Sequence, residues 1–134
     1  MFMWDNVKIR VRYAETDQMG IVHHSNYYVW FEFGRSEFCR TRGFSYQEME
    51  AEDGLMMVVA ETNCRYVAPA KYDELITVRT RISDLRSRGL TFEYEIFREA
   101  DDKRLAFGTT KHVITDSNKR VTRLPEKYVN LLQL

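Results

Sequence analysis

A single apolar stripe at helical spacing is set against five runs of strand spacing, and that inequality constrains the fold more than any other feature of the chain. Over residues 26–42 the positions Tyr27, Phe31, Gly34 and Phe38, with Trp30 beside them, recur every three or four residues. Glu32, Ser36 and Arg40 fall on the opposite side, and Gly43 supplies a C-terminal stop. Before this helix, Val7, Ile9, Val11 and Tyr13 alternate with Lys8, Arg10 and Arg12, which predicts a half-buried strand over 7–13. After it, residues 45–54 are polar and acidic and read as a short helical turn and a loop. The spacing then changes. Residues 57–67 read as a long strand, and Pro69, Ala70, Asp73 and Glu74 mark a turn. Ile76, Val78, Thr80 and Ile82 alternate with Thr77, Arg79 and Arg81. After the turn Ser87-Arg88-Gly89, Leu90, Phe92, Tyr94 and Ile96 alternate with Thr91, Glu93 and Glu95. A hairpin turn at 100–103 leads into a last long strand, 105–115, interrupted by Gly108. Pro125 opens a short helix over 126–132 as a first-turn proline.

Antiparallel strands joined by tight turns cannot cover their own apolar face, so the one long helix must do it. The expected fold class is α+β, an antiparallel sheet of about five strands wrapped around one long helix, as a single domain over 1–134. Gly34, on the apolar stripe, would let the helix axis come close to the sheet. Hydrophobic residues make up 44% of the chain, enough for a packed core. Lys+Arg and Asp+Glu both number 20, and this balance argues against a nucleic-acid partner. Cys39 and Cys64 fall in a helix and a strand and read as small buried hydrophobes rather than a disulfide framework. The opening residues show no pattern of a secretory leader, and no run reaches the ~20 apolar residues of a membrane span. The expected location is the cytoplasm.

The chemistry concentrates in Tyr13-Ala-Glu-Thr-Asp17-Gln-Met-Gly20-Ile-Val-His-His24-Ser-Asn-Tyr27. This stretch sets a carboxylate in a glycine-containing loop just before a long helix. A helix N-terminus offers free N–H groups and a positive dipole end, which can hold an oxyanion. A carboxylate and an oxyanion site a few residues apart are the main parts of an acyl-transfer or hydrolysis site. Gly20 suits a positive φ or a close approach to substrate. His23 and His24 are adjacent and poorly placed to chelate one metal, and His112 is isolated in a strand. No zinc motif occurs, and neither metal nor cofactor is expected.

These residues carry a family resemblance. Asp17, Gly20, Ile21, Val22, His24 and Tyr27 match the pattern D-x-x-G-hydrophobic-hydrophobic-x-[HY]-x-x-Y. Trp30, Glu32, Arg35 and Glu37 match the helix pattern W-x-E-x-x-R-x-E. Over nearly its whole length the chain resembles the hotdog-fold, 4-hydroxybenzoyl-CoA thioesterase-like family of acyl-CoA thioesterases. Tyr13, four residues before Asp17, resembles its Tol-Pal-associated branch. The resemblance implies Asp17 as catalytic carboxylate, acting as nucleophile or general base. It implies a backbone N–H near His24 as the carbonyl-polarising group, with His24 and Tyr13 in supporting roles. It further implies substrate contacts at Gly20, His23, Tyr27, Val59 and Glu61, and CoA phosphates near Arg86 and Arg88. Finally it implies a homodimer or homotetramer with active sites between subunits, so that Asp17 of one subunit faces residues 57–65 of the other. Two other readings keep the fold: a thioesterase acting on acyl-carrier protein, and an acyl-binding protein without turnover. The dehydratase branch uses a His-Phe-Pro-Gly context that this chain lacks.

Overall fold

The computed structural model describes residues 3–134. Five antiparallel strands form one sheet: β1 (Asp5–Arg10), β2 (Met56–Tyr66), β3 (Leu75–Arg86), β4 (Gly89–Arg98) and β5 (Lys103–Thr115). Their order is β1-β3-β4-β5-β2. Three helices accompany them: α1 (Ser25–Thr41), α2 (Tyr46–Asp53) and α3 (Glu126–Leu132). The α+β expectation is borne out, with α1 as the helix that covers the sheet.

The alternation sorts the faces. Ile76, Val78, Thr80 and Ile82 of β3 and Leu90, Phe92, Tyr94 and Ile96 of β4 are all buried toward α1. On the opposite face, cross-strand partners carry opposite charge. Arg79 pairs Glu95 at 3.2 Å and Arg81 pairs Glu93 at 2.5 Å, and the Trp4 ring lies against both guanidinium groups.

Seating of α1 is close and aromatic. Phe31 stacks on Tyr94 at 4.2 Å between centroids, and Phe38 meets Phe92 edge-on at 5.7 Å. Gly34 sits between them. A Cβ there would lie 2.9 Å from Val78 Cγ1 and nearer still to Thr80 Oγ1. The sequence expectation for Gly34 therefore holds, and for a steric reason.

One helix cannot cover five strands. Four inter-strand spacings of about 4.8 Å make a sheet about 19 Å across, whereas a helix with its side chains is about 10–12 Å wide. α1 takes β3 and β4, and β2 at the sheet edge is left open. Most of its residues are exposed on both faces, including Val58, Val59 and Tyr66, and a bulge interrupts its pairing to β5 between Val59 and Glu61.

Two elements differ from the sequence reading. The first strand ends at Arg10 rather than continuing to Tyr13, because β3 offers no partner beyond Leu75. Val11 still donates to the Glu74 carbonyl, and the chain then closes a 3-10 turn over Tyr13–Glu15. Residues 46–53 form a full helix. Ser45 caps it by accepting from the Glu48 N–H at 3.1 Å, Gly54 closes it at φ 63°, and the fully buried Met49 anchors it. Its overall polarity concealed those three signals.

His112 of β5 is 1% exposed. Its Nε2 lies 2.8 Å from Thr110 Oγ1, which lies 2.5 Å from the Tyr94 hydroxyl. Burial, and secondarily the charge of Arg35, pull this imidazole down to about 4.

Two outcomes are expected. Gly34→Ala forces α1 off β3 and costs about 1–3 kcal/mol, read as a lower urea midpoint. His112 stays neutral in the folded protein while the unfolded chain takes up a proton near its ordinary value of 6.5. Its contribution is therefore complete above that value and is lost as pH falls toward 4. At ~1.4 kcal/mol per pH unit, stability declines by about 3 kcal/mol between pH 7 and pH 4. Urea titrations at stepped pH measure this, and His112→Gln flattens that part of the profile.

Candidate functional site

Where the strand-to-helix loop meets the end of β2, the protein holds a cavity of about 330 Å³. The loop supplies Asp17, Met19, Ile21, Val22 and His24, α1 supplies Tyr27, and the segment after β2 supplies Val67, Ala68 and Pro69, with Tyr66 at the strand end. The walls are largely apolar, with Asp17, His24, Tyr27 and Tyr66 as the polar members of the lining, as in a small-ligand site.

The loop is built by backbone hydrogen bonds. Asp17 N–H donates to the Ile21 carbonyl at 2.8 Å, and Gly20 N–H donates back to the Asp17 carbonyl at 2.9 Å. Gly20 makes this possible with φ 78°, and nothing approaches the place where its Cβ would be. Its conformation serves the turn, and no protein atom crowds it. Val22 N–H donates to the Ala70 carbonyl at 2.9 Å, tying the loop to the Pro-Ala turn after β2.

Asp17 is half-buried, and its two oxygens differ. Oδ1 accepts from the Met19 N–H at 2.8 Å, whereas Oδ2 accepts no hydrogen bond among the described residues. The carboxylate is thus both a turn element and, at Oδ2, an open acceptor on a residue that lines the cavity. Nearby, α1 begins with Asn26 N–H donating to the His23 carbonyl and Tyr27 N–H to the His24 carbonyl. The His24 N–H has no acceptor among the described residues. It lies at the positive end of a 17-residue helix dipole.

Tyr66 braces that helix start by donating its hydroxyl to the His24 carbonyl at 3.2 Å. Its ring meets Tyr27 edge-on at 5.0 Å. Burial pushes both phenols up, so both stay protonated and able to donate.

The structure brings Asp17, His24 and Tyr27 together. Others stand apart within one chain. Tyr13 is 76% exposed and packs edge-on against Tyr72 at 5.6 Å, outside the cavity. The His23 side chain turns back to its own helix start, with Nδ1 at 2.8 Å from Ser25 Oγ. Val59 and Glu61 lie on the open edge strand. Arg86 and Arg88 are at the far end of the β3–β4 hairpin, and Arg86 pairs with Asp84 at 2.7 Å. From Leu75 to Arg86 the strand runs ~36 Å at 3.3 Å per residue, so those cations do not reach Asp17 in the same chain. Sequence reading missed Tyr66 and the 67–69 wall. Their only signal was an aromatic at the end of a long strand just before a proline turn.

The fold and this match define a class, the hotdog-fold thioesterases. The family model described as the thioesterase-like superfamily matches residues 11–132. The chain belongs to that superfamily and is an enzyme of the thioester-hydrolysing kind. It is 34% identical over 96 residues to the acyl-CoA thioester hydrolase YbgC of Escherichia coli O6:H1, covering 72% of this chain and 69% of that one. Among solved structures, it resembles the hypothetical protein TT1821 of Thermus thermophilus, with a TM-score of 0.89, 42% identity and 95% of each chain covered. It likewise resembles the DHNA-CoA thioesterase of Staphylococcus aureus, with a TM-score of 0.88, 30% identity, and 95% and 85% of the two chains covered. Among the described residues, no helix is long and apolar enough to cross a membrane.

Proposed function

We propose that this protein hydrolyses acyl-CoA thioesters in the Asp17 cavity, with each site completed by a second copy of the chain. The observation that carries this reading is that Asp17, with a free Oδ2, and His24, with an unbonded backbone N–H, line the same cavity. The amide would polarise the thioester oxygen and stabilise the charge that develops on it, a role in which one donor is typically worth about a hundred- to a thousandfold in rate. The carboxylate either attacks the carbonyl to give a mixed anhydride or takes a proton from the attacking water. Both routes end in a free acid and CoA thiol. His24 and Tyr27 border the reacting group. Tyr66 adds to that set by holding the His24 peptide in place.

The second copy follows from the edge. β2 is an unpaired strand with exposed valines, a liability unless something pairs with it. Pairing β2 antiparallel with its own copy about a twofold axis near Glu61 exchanges the ends of the two sheets. β2 runs from the arginine end of the sheet at Met56 to the Asp17 end at Tyr66. The twofold would thus carry Arg86 and Arg88 of the partner subunit toward this Asp17, with Glu61 of the partner subunit at the axis and Val59 of the partner subunit displaced from it toward the cavity. Arg86, Arg88 and Lys111 rim a cleft suited to the phosphates of CoA. Pairs of dimers forming a tetramer, in a cytoplasmic enzyme, complete the reading. Tyr13 would act only if the partner folds over it.

Thiol release from aromatic, short-chain and medium-chain acyl-CoA, with acyl-carrier-protein thioesters in parallel, tests the substrate class. Faster turnover of the carrier-protein thioesters would transfer the assignment to them. Asp17→Asn is expected to lower kcat about a hundred- to ten-thousandfold while acyl-CoA binding persists. An unchanged rate removes Asp17 from the chemistry, and binding without turnover in the natural chain would make this an acyl-binding protein. Val58→Lys puts a lysine on the edge strand, the device that blunts such an edge against pairing. It should lower the mass seen by light scattering and abolish hydrolysis together, and a fully active monomer would refute the shared site.

A further inference from the structure

One buried carboxylate lies beside the cavity without lining it. Glu15 stands two residues before Asp17 and is 3% exposed. Its Oε1 accepts from the Arg12 N–H at 2.8 Å. Its Oε2 accepts from the Trp30 indole N–H at 2.8 Å and from the Arg12 guanidinium at 3.5 Å. Its backbone carbonyl accepts from the His23 N–H and from Asn26 Nδ2, both at 2.9 Å. One residue therefore ties the end of the first strand, the return of the Asp17 loop and the first two turns of α1.

Resting on the thioesterase reading above, we propose that Glu15 is a positioning residue that sets the distance between the Asp17 carboxylate and the His24 N–H. Both reacting groups hang from the segment that Glu15 suspends: Asp17 on the outgoing arm, His24 immediately after the returning His23. A carboxylate is required because it is acceptor on both oxygens. A glutamine in either flip would turn its NH₂ toward the Arg12 N–H or the Trp30 indole N–H, leaving two donors opposed. Burying a charge is costly unless it is fully bonded, and here both oxygens are bonded. Such a group holds geometry, and a displacement of about 1 Å at a reacting pair can cost on the order of a hundredfold in rate.

The test compares Glu15→Gln, Trp30→Phe and Asp17→Asn with the unaltered protein, using whichever acyl-CoA of the screen turns over fastest. Glu15→Gln should lower kcat about ten- to a hundredfold with KM within about twofold, because the cavity walls are untouched. A thermal melt establishes that the variant is folded at the assay temperature. A wild-type kcat in the folded variant overturns the proposal, as would a loss that merely follows the unfolded fraction. Should Glu15→Gln fail to fold, Trp30→Phe decides, since it removes one donor and leaves the carboxylate. It should lower kcat at least about threefold with KM unchanged, and no change overturns the idea. Amide exchange at His23 and Asp17 needs no substrate. Protection should fall at least about tenfold in Glu15→Gln, and unchanged protection again overturns it. If Asp17→Asn keeps full activity, the assignment of the acid fails instead, a result independent of the exchange measurement.

Discussion

The seating of α1 on β3 and β4 is the contact on which everything else depends. Gly34 lets the helix backbone down onto Val78 and Thr80, while on either side Phe31 stacks on Tyr94 and Phe38 meets Phe92 edge-on. That contact fixes where the helix begins. The helix start in turn fixes the His24 N–H, and the loop before it must deliver Asp17 to the same place. The geometry proposed for catalysis would follow from helix–sheet distance, with Glu15 and Tyr66 bonded to the near end of the helix.

The same contact creates the open edge. A helix wide enough for two strands leaves β2 uncovered, and the chain puts valines on that strand instead of the lysines or prolines that usually blunt an edge. Separation of the carboxylate from the arginine-rich hairpin by a whole strand length points the same way. In the proposed assembly, two halves of a site that cannot meet within a chain would meet across a twofold through the edge strand.

Much of this was legible in the residues themselves. Alternation in β3, β4 and β5 has period two because each strand buries one face, and the text states it directly. The α1 stripe and Gly34 were legible for the same reason. The loop motif located Asp17, His24 and Tyr27, which do converge. What failed to show was of two kinds. Where β1 ends depends on how far β3 extends beside it, a property of the partner strand, so Tyr13 continued a pattern whose support had already stopped. Glu15 is buried because Trp30 from the following helix bonds it, and His112 is buried against Phe92 of the neighbouring strand, while polarity alone reads such residues as surface. Tyr66 joins the site only because β2 brings it back beside the helix start.

The cavity lining contains no lysine or arginine among the described residues, and its tyrosines stay uncharged. A thioester enters it uncharged at the reacting carbonyl, but the product acid ionises to a carboxylate whose oxygens carry a negative charge beside Asp17. Two unit charges about 4 Å apart repel by about 4 kcal/mol at a surface-like dielectric of about 20. The cleft would therefore expel what it makes, and the same carboxylate that opens the thioester would clear the way for the next one.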